Sequence, residues 1–325
     1  NIPDAWNSHT IWQYTEHGRL NGYNDRLDLN RFDGDKADIA NLIAGRKFIE
    51  TDFDLRELDP SFTPLGDSGF PVERVNSGGL NLRSEPRVST QTWIATLPLA
   101  HDVEVLERNI NTKWAKIRTK YNGQGVTGFV AQAYLRRKKS EEVENLVSAA
   151  PAEWLRFRRG AGKETVEPYY QYIGEMWQAR GWNLTGKDTD WPWSAAAISF
   201  FVEKAGPAYD GFLKSIRHSD YIKDAIEKRE AGEVAPFWAY RLNEQKPEIG
   251  DLVCQWRERA VDYDGAQMRD RFDSHTDVIV GVEQDRIFAM GGNVGNSINM
   301  SEFRLDANGK LKAEGKLFAL MKNRL

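Results

Sequence analysis

The spacing of apolar and polar residues changes character several times along the chain. Near the start, Ile11-Trp12-Gln13-Tyr14-Thr15 alternates with a period of two, which predicts a strand, and Leu27-Asp28-Leu29-Asn30-Arg31-Phe32 follows it. A helical segment is expected over about Asp35 to Ala44. A polar stretch containing Pro and Gly, Asp59 to Gly69, reads as a linker. Short alternating runs follow at Gly79–Arg83, Thr92–Leu97, Asp102–Leu106, Lys113–Arg118 and Val126–Val130. Several strands of that length with turns between them predict a small all-β barrel. A charged, helix-like connector covers Lys138 to Leu146. Beyond it the period becomes helical at Thr165–Arg180, Trp193–Ala205 and Ser219–Glu230. Strand-length apolar runs return at Asp251–Trp256, Asp277–Glu283, Arg286–Met290 and Lys316–Met321. Helices first and strands afterwards is an α+β order.

These patterns divide the chain into a multidomain layout: 1–46, a linker 47–69, an all-β module 70–138, a second linker 139–150, and an α+β domain 151–325. The first piece cannot build a core alone, because chains below about 40 residues rarely do. A net charge of −4 leaves no basic field for non-specific nucleic-acid binding. One cysteine, Cys254, excludes a disulfide within the chain. No apolar run approaches the roughly 18 residues of a membrane span, so none is expected. No signal-peptide pattern is visible, and a chain that starts at Asn1 reads as a mature, trimmed or sub-cloned product whose native start is open.

The candidate chemistry lies in the last domain. Asp190-Trp191-Pro192-Trp193-Ser194 opens a helix that is apolar on nearly all sides and stops at Gly206-Pro207. Such a helix is buried, and Ser194 stands in its first turn, where unpaired N–H groups favour developing negative charge. Of the five histidines, His218 and His275 belong to this domain. His275 sits between a polar turn and an apolar strand, a place from which an imidazole can reach an active-site mouth. His218 starts a helix, as a substrate contact, a supporting hydrogen bonder or a structural residue. Cys254 falls within a strand and is expected to be a buried, inert thiol. With two histidines and no matching Cys or carboxylate spacing, neither a zinc site nor a cofactor is expected.

Three resemblances rest on these residues. The W-Q-Y-T…G…D-x-N-x-F pattern from Trp12 to Phe32 resembles the end of family-25 glycoside hydrolases, the lysozyme-type muramidases, which implies a strand–helix fragment of a (β/α) barrel. In that family Asp28 would match a carboxylate at the rim of the sugar site. The catalytic Asp-x-Glu pair has no counterpart here, and glycoside hydrolysis needs two carboxylates, so muramidase activity is not expected of this chain. Leu80–Pro86, Trp114–Arg118 and Gly128–Leu135 resemble the L-N-x-R-S-x-P, W-x-K-I-R and G-(F/W)-V-x-x-x-Y-L signature of bacterial SH3 domains, which implies wall-peptide binding or a rigid spacer.

The last domain resembles the papain-like NlpC/P60 and CHAP peptidases and amidases. Within that group the pattern is similar to the family DUF2272: W-S-A-A at Trp193, S-x-x-H-x-x-Y at Ser215, His218 and Tyr221, G-D-L-x-C from Gly250 to Cys254, H-x-D at His275 and Asp277, and G-G-N-V from Gly291 to Val294. This resemblance implies Ser194 as nucleophile, His275 as base and Asn293 as its orienter. Trp193, Ser215, His218 and Asp277 then fall near the substrate, with Asp277 an alternative orienter. The wider family places a Cys at the position of Ser194. Three readings follow: a native serine nucleophile, an engineered replacement of a catalytic Cys, or a buried capping hydroxyl with catalysis elsewhere or lost; where it is lost, the chain only recognises peptidoglycan. The implied function is cleavage of a peptidoglycan amide bond by an endolysin or antibacterial effector, acting in the periplasm or cell wall. Its partners would be stem peptide and glycan, together with delivery machinery or an immunity protein.

Overall fold

The computed structural model describes residues 11–18, 27–32 and 69–325, apart from 78 and 122–123; for 11–18, 27–32 and 121 the backbone alone is described. The chain divides into two compact units, Asn1–Asp59 and Pro60–Leu325. In the first unit, strands β1 (Ile11–Gly18) and β2 (Leu27–Phe32) pair antiparallel, with Trp12 opposite Arg31 and Thr15 opposite Leu29. The segment read as strand–helix therefore contains a second strand. The helix expected over Asp35–Ala44, most of the 47–69 linker and the side chain of Asp28 lie outside the described residues.

The second unit begins with seven strands: β3 (Val72–Val75), β4 (Leu80–Arg83), β5 (Trp93–Leu97), β6 (Asp102–Ile110), β7 (Trp114–Tyr121), β8 (Gln124–Ala131) and β9 (Leu135–Arg137). They form one antiparallel sheet in the order β5-β4-β8-β7-β6-β3-β9. Every strand sends apolar side chains into a single cluster that includes Val75, Leu82, Leu97, Val105, Ile117, Val130 and Leu135. That is the outcome of period-two patterning in strands too short to build separate cores. The alternating runs read from the sequence account for five of the seven strands. The other two, β3 and β9, four and three residues long, lie outside those runs.

Helix α1 (Glu141–Arg156) follows directly, capped by Ser140, whose hydroxyl accepts the Val143 N–H. The stretch expected to be a charged connector is thus a sixteen-residue helix. It buries Val143, Leu146, Val147 and Ala150. An ionic cluster joins it to the seven-stranded sheet: Arg74 bonds both Asp102 and Glu144 at 2.8 Å, and Arg136 also reaches Glu144. Asn76 clamps the sheet onto the next one, donating to the Val282 carbonyl at 2.6 Å and accepting the Val282 N–H.

The α+β domain adds α2 (Tyr169–Gln178), α3 (Ser194–Lys204), α4 (His218–Ala231) and the short α5 (Tyr263–Met268). Its strands are β10 (Phe237–Tyr240), β11 (Leu252–Trp256), β12 (Ser274–Val282), β13 (Arg286–Gly291), β14 (Asn299–Arg304) and β15 (Leu317–Asn323). They run antiparallel in the order β10-β15-β11-β12-β13-β14. Alternate residues Val253, Ile279, Ala289 and Leu320 join a cluster with Leu242, Leu305 and Leu311. Their neighbours Leu252, Cys254, Val278, Met290 and Met321 are equally buried, so both faces of the sheet are covered. Helices α1 and α3 pack on β12 and β13, and α4 packs on β10 and β12. This places the starts of α3 and α4 beside the start of β12. Among the described residues, no helix is long and apolar enough to cross a membrane.

Candidate active site

Ser194 is the first residue of α3 and His218 the first residue of α4. Two helix N-termini therefore bring a hydroxyl and an imidazole together: Ser194 Oγ lies 2.6 Å from His218 Nε2. On its other side, His218 Nδ1 contacts Thr276 Oγ1 at 2.9 Å and the Tyr221 hydroxyl, and those two hydroxyls are 2.7 Å apart. The S-x-x-H-x-x-Y spacing sets up part of this, since residues three apart on a helix share a face. Thr276 arrives from β12, where it pairs with Cys254 across β11. Ser199, five residues further along α3 than Ser194, donates to the Ser215 carbonyl at 2.7 Å and accepts the Ser215 N–H at 3.0 Å. That pair of bonds ties the segment before α4 to α3 and so holds His218 against Ser194.

The site is nearly closed: Ser194 is 8% exposed and His218 6%. Burial, with His275 and Arg257 adding to it, pushes the His218 pKa well below the ordinary 6.5. Its ring is therefore neutral near pH 7 and able to accept a proton. Burial drives the Tyr221 phenol well above its usual range, so it stays protonated. The α3 start also supplies N–H groups without an i−4 carbonyl, next to the Ser194 hydroxyl in sequence.

A second pair stands beside the first. His275 Nε2 lies 2.8 Å from Asp277 Oδ1, and Gln255 donates to the other Asp277 oxygen at 3.2 Å. The rings of His275 and His218 are 5.1 Å apart. Asp277 fits only because position 291 is glycine, where an added Cβ would sit 1.8 Å from Asp277 Oδ1. Gly292 is similarly close to Ala197 and the Trp193 ring.

Several sequence expectations land differently. Ser194 bonds to His218, and among the described residues it makes no hydrogen bond to His275. His275 hydrogen-bonds Asp277, the alternative orienter, while Asn293, the first expectation for that role, occupies a turn with φ +58° and does not bond to His275. Trp193 faces the interior instead of a substrate: its ring stacks on Phe157 at 6.0 Å and its Nε1 donates to Glu164 at 2.8 Å. Ser215 is engaged locally, donating to Asp220 at 2.6 Å and accepting the Arg217 N–H. Cys254 is fully buried, and burial raises its thiol pKa. Asp251 closes the start of β11, accepting from the Glu248 and Asn323 amides and from Lys322 at 2.7 Å. Burial lifts its pKa to about 6 against that favourable lysine contact. Among the described residues no group of three His, Cys, Asp or Glu could hold a metal ion.

The fold and site define a helix-on-sheet α+β domain that carries a buried serine–histidine pair at two helix N-termini. The chain belongs to a family described as an uncharacterized protein conserved in bacteria, DUF2272, which matches residues 160–322. That span holds Ser194, His218, His275 and Asn293 and leaves out the seven-stranded sheet. Among solved structures, NlpC2 from Trichomonas vaginalis is similar at 11% identity, covering 77% of this chain and 71% of its own, with a TM-score of 0.24. No curated protein matches the chain.

Proposed function

We propose that this chain hydrolyses an amide bond of peptidoglycan, within the stem peptide or between muramic acid and L-Ala, with Ser194 as nucleophile. The observation that carries this reading is the 2.6 Å contact of Ser194 Oγ with His218 Nε2 at the start of α3. His218, neutral through burial, takes the hydroxyl proton as Oγ attacks the carbonyl carbon. The first N–H groups of α3 stabilise the resulting oxyanion. His218 then passes its proton to the leaving amine nitrogen, and water hydrolyses the acyl-enzyme with His218 again as base. Thr276 and Tyr221 accept the Nδ1–H, which keeps Nε2 free to act as acceptor. The His275–Asp277 pair packs against this base and fixes the far wall of the site.

In this reading the seven-stranded sheet is a bacterial SH3-like module that holds the wall near the active site and raises the local substrate concentration. Unit one is similar to the end of a family-25 glycoside hydrolase, with Asp28 at the position of that family's rim carboxylate. The protein then acts at the cell wall as an endolysin or an effector, and a matching immunity protein is its natural antagonist.

A second reading is favoured by one observation: His218 is oriented by two hydroxyls and not by a carboxylate, so its cation gains little support. Here the domain binds peptidoglycan without turnover. Incubating purified sacculi with wild type, Ser194→Ala and His218→Ala, and reading released muropeptides by mass spectrometry, separates the two. New fragments that disappear in Ser194→Ala support hydrolysis. Sacculus binding without new fragments supports the second reading.

A further inference from the structure

Immediately before the Ser194 helix, the chain leaves two tryptophans in solvent. Trp191 is 47% exposed and Trp182 is 41% exposed, with ring centroids 5.7 Å apart. Large apolar side chains grouped on a surface mark a contact site more often than isolated ones do. Trp191 lies three residues from Ser194, so their Cα atoms are at most about 11 Å apart. Residues 187–192 are all exposed, and Trp193 then turns into the core. The segment is held in place at both ends. Asp188 accepts the Thr185 N–H at 2.7 Å, and its carbonyl accepts the Trp191 N–H at 3.0 Å. Trp182 rests on the buried Trp177, 6.5 Å away.

We propose that Trp182 and Trp191 are a glycan platform at the mouth of the Ser194 site, so that the substrate is a stem peptide still attached to its sugar strand. This rests on the reading of that site as a peptidoglycan amide hydrolase. A pyranose presents a face of C–H groups that covers an indole while its hydroxyls stay in water. Small, polar stem-peptide side chains offer no such face. The rings are inclined by 43°, so one sugar cannot lie flat on both, whereas successive units of a twisted strand can each meet one ring.

The test compares the full chain with Trp191→Ala, Trp191→Phe and Trp182→Ala/Trp191→Ala on two substrates, a disaccharide-linked muropeptide and its glycan-free stem peptide. Titration with an N-acetylglucosamine tetramer, followed by NMR, reads binding separately, and circular dichroism checks folding. Losing one stacking face is expected to lower kcat/KM on the glycan-linked substrate roughly tenfold, with Trp191→Phe intermediate and the free peptide unaffected. Equal losses on both substrates, or no loss on either, overturn the platform. If wild type cleaves neither substrate, the hydrolase reading fails and the titration decides the platform alone. Saturable binding weakened by Trp191→Ala upholds it, and no binding by wild type overturns it.

Discussion

Replacing His218 with Gln probes the contact on which the catalytic reading depends. Gln is uncharged at every pH and cannot take the Ser194 proton, yet its amide can still bond two of the three hydroxyls around the imidazole. The fold is therefore expected to lose only about 1–3 kcal/mol, the cost of one unmade buried hydrogen bond. The chemical step loses its general base, a contribution of about 10²–10⁴ in rate, or roughly 3–5 kcal/mol of barrier. The assay is kcat/KM on a defined muropeptide between pH 5 and 8. In wild type, burial and the neighbouring His275 hold the His218 pKa well below 6.5, so the neutral base persists as pH falls through that value. No acid limb centred near pH 6.5 is expected. Retention of more than a third of wild-type activity by His218→Gln would refute the assignment. An acid limb near 6.5 that vanishes in His275→Gln would move the base to the His275–Asp277 pair.

Three further outcomes follow from the same structure. His101 is buried against Thr119 with its pKa lowered to about 4, chiefly by burial, so between pH 6.5 and 4 the unfolded chain binds the extra proton. Stability gained by holding that ring neutral is full above pH 6.5 and declines as pH falls, by about 1.4 kcal/mol per unit and about 3 kcal/mol in all. Urea unfolding of wild type against His101→Gln should show this difference, and parallel pH curves would count against it. Cys254, fully buried with a raised thiol pKa, should resist thiol reagents until the protein unfolds, and native-state labelling that abolishes activity would contradict a serine nucleophile. Gly291→Ala places a Cβ 1.8 Å from Asp277 Oδ1, so Asp277 must leave His275; a loss of about 1–3 kcal/mol by thermal melting is expected, and an unchanged melt would contradict the packing.

The sequence was most informative where a residue's role depends on its near neighbours. The period of Trp193–Ala205 announced a buried helix with Ser194 in its first turn, and α3 begins at Ser194. Spacing in S-x-x-H-x-x-Y already put His218 and Tyr221 on one helical face. It did not say which imidazole reaches the serine, because that depends on how α4 crosses α3 and β12. The same limit applies to Trp193, whose position beside Ser194 pointed to substrate while its rotamer points to Phe157. Asn293 matched a motif by order along the chain, but its side chain is aimed by a left-handed turn that order does not reveal.

Local alternation and breakers thus announced β4 to β8, β11 to β13, β15, the helices α2 to α4 and the membership of a serine and two histidines in one domain, since those properties are set within a few residues of chain; β3, β9, β10, β14 and α5 carried no such signal. Only the tertiary structure decided that Ser194 meets His218, that Asp277 holds His275 above a glycine, and that Trp182 and Trp191 remain in water. Ser194 and His218 are 24 positions apart, Asp277 lies on its neighbour His275 only because Gly291 from the next strand leaves room, and the exposure of the tryptophans is a matter of packing in three dimensions; hydrophobic periodicity carries no information about any of these.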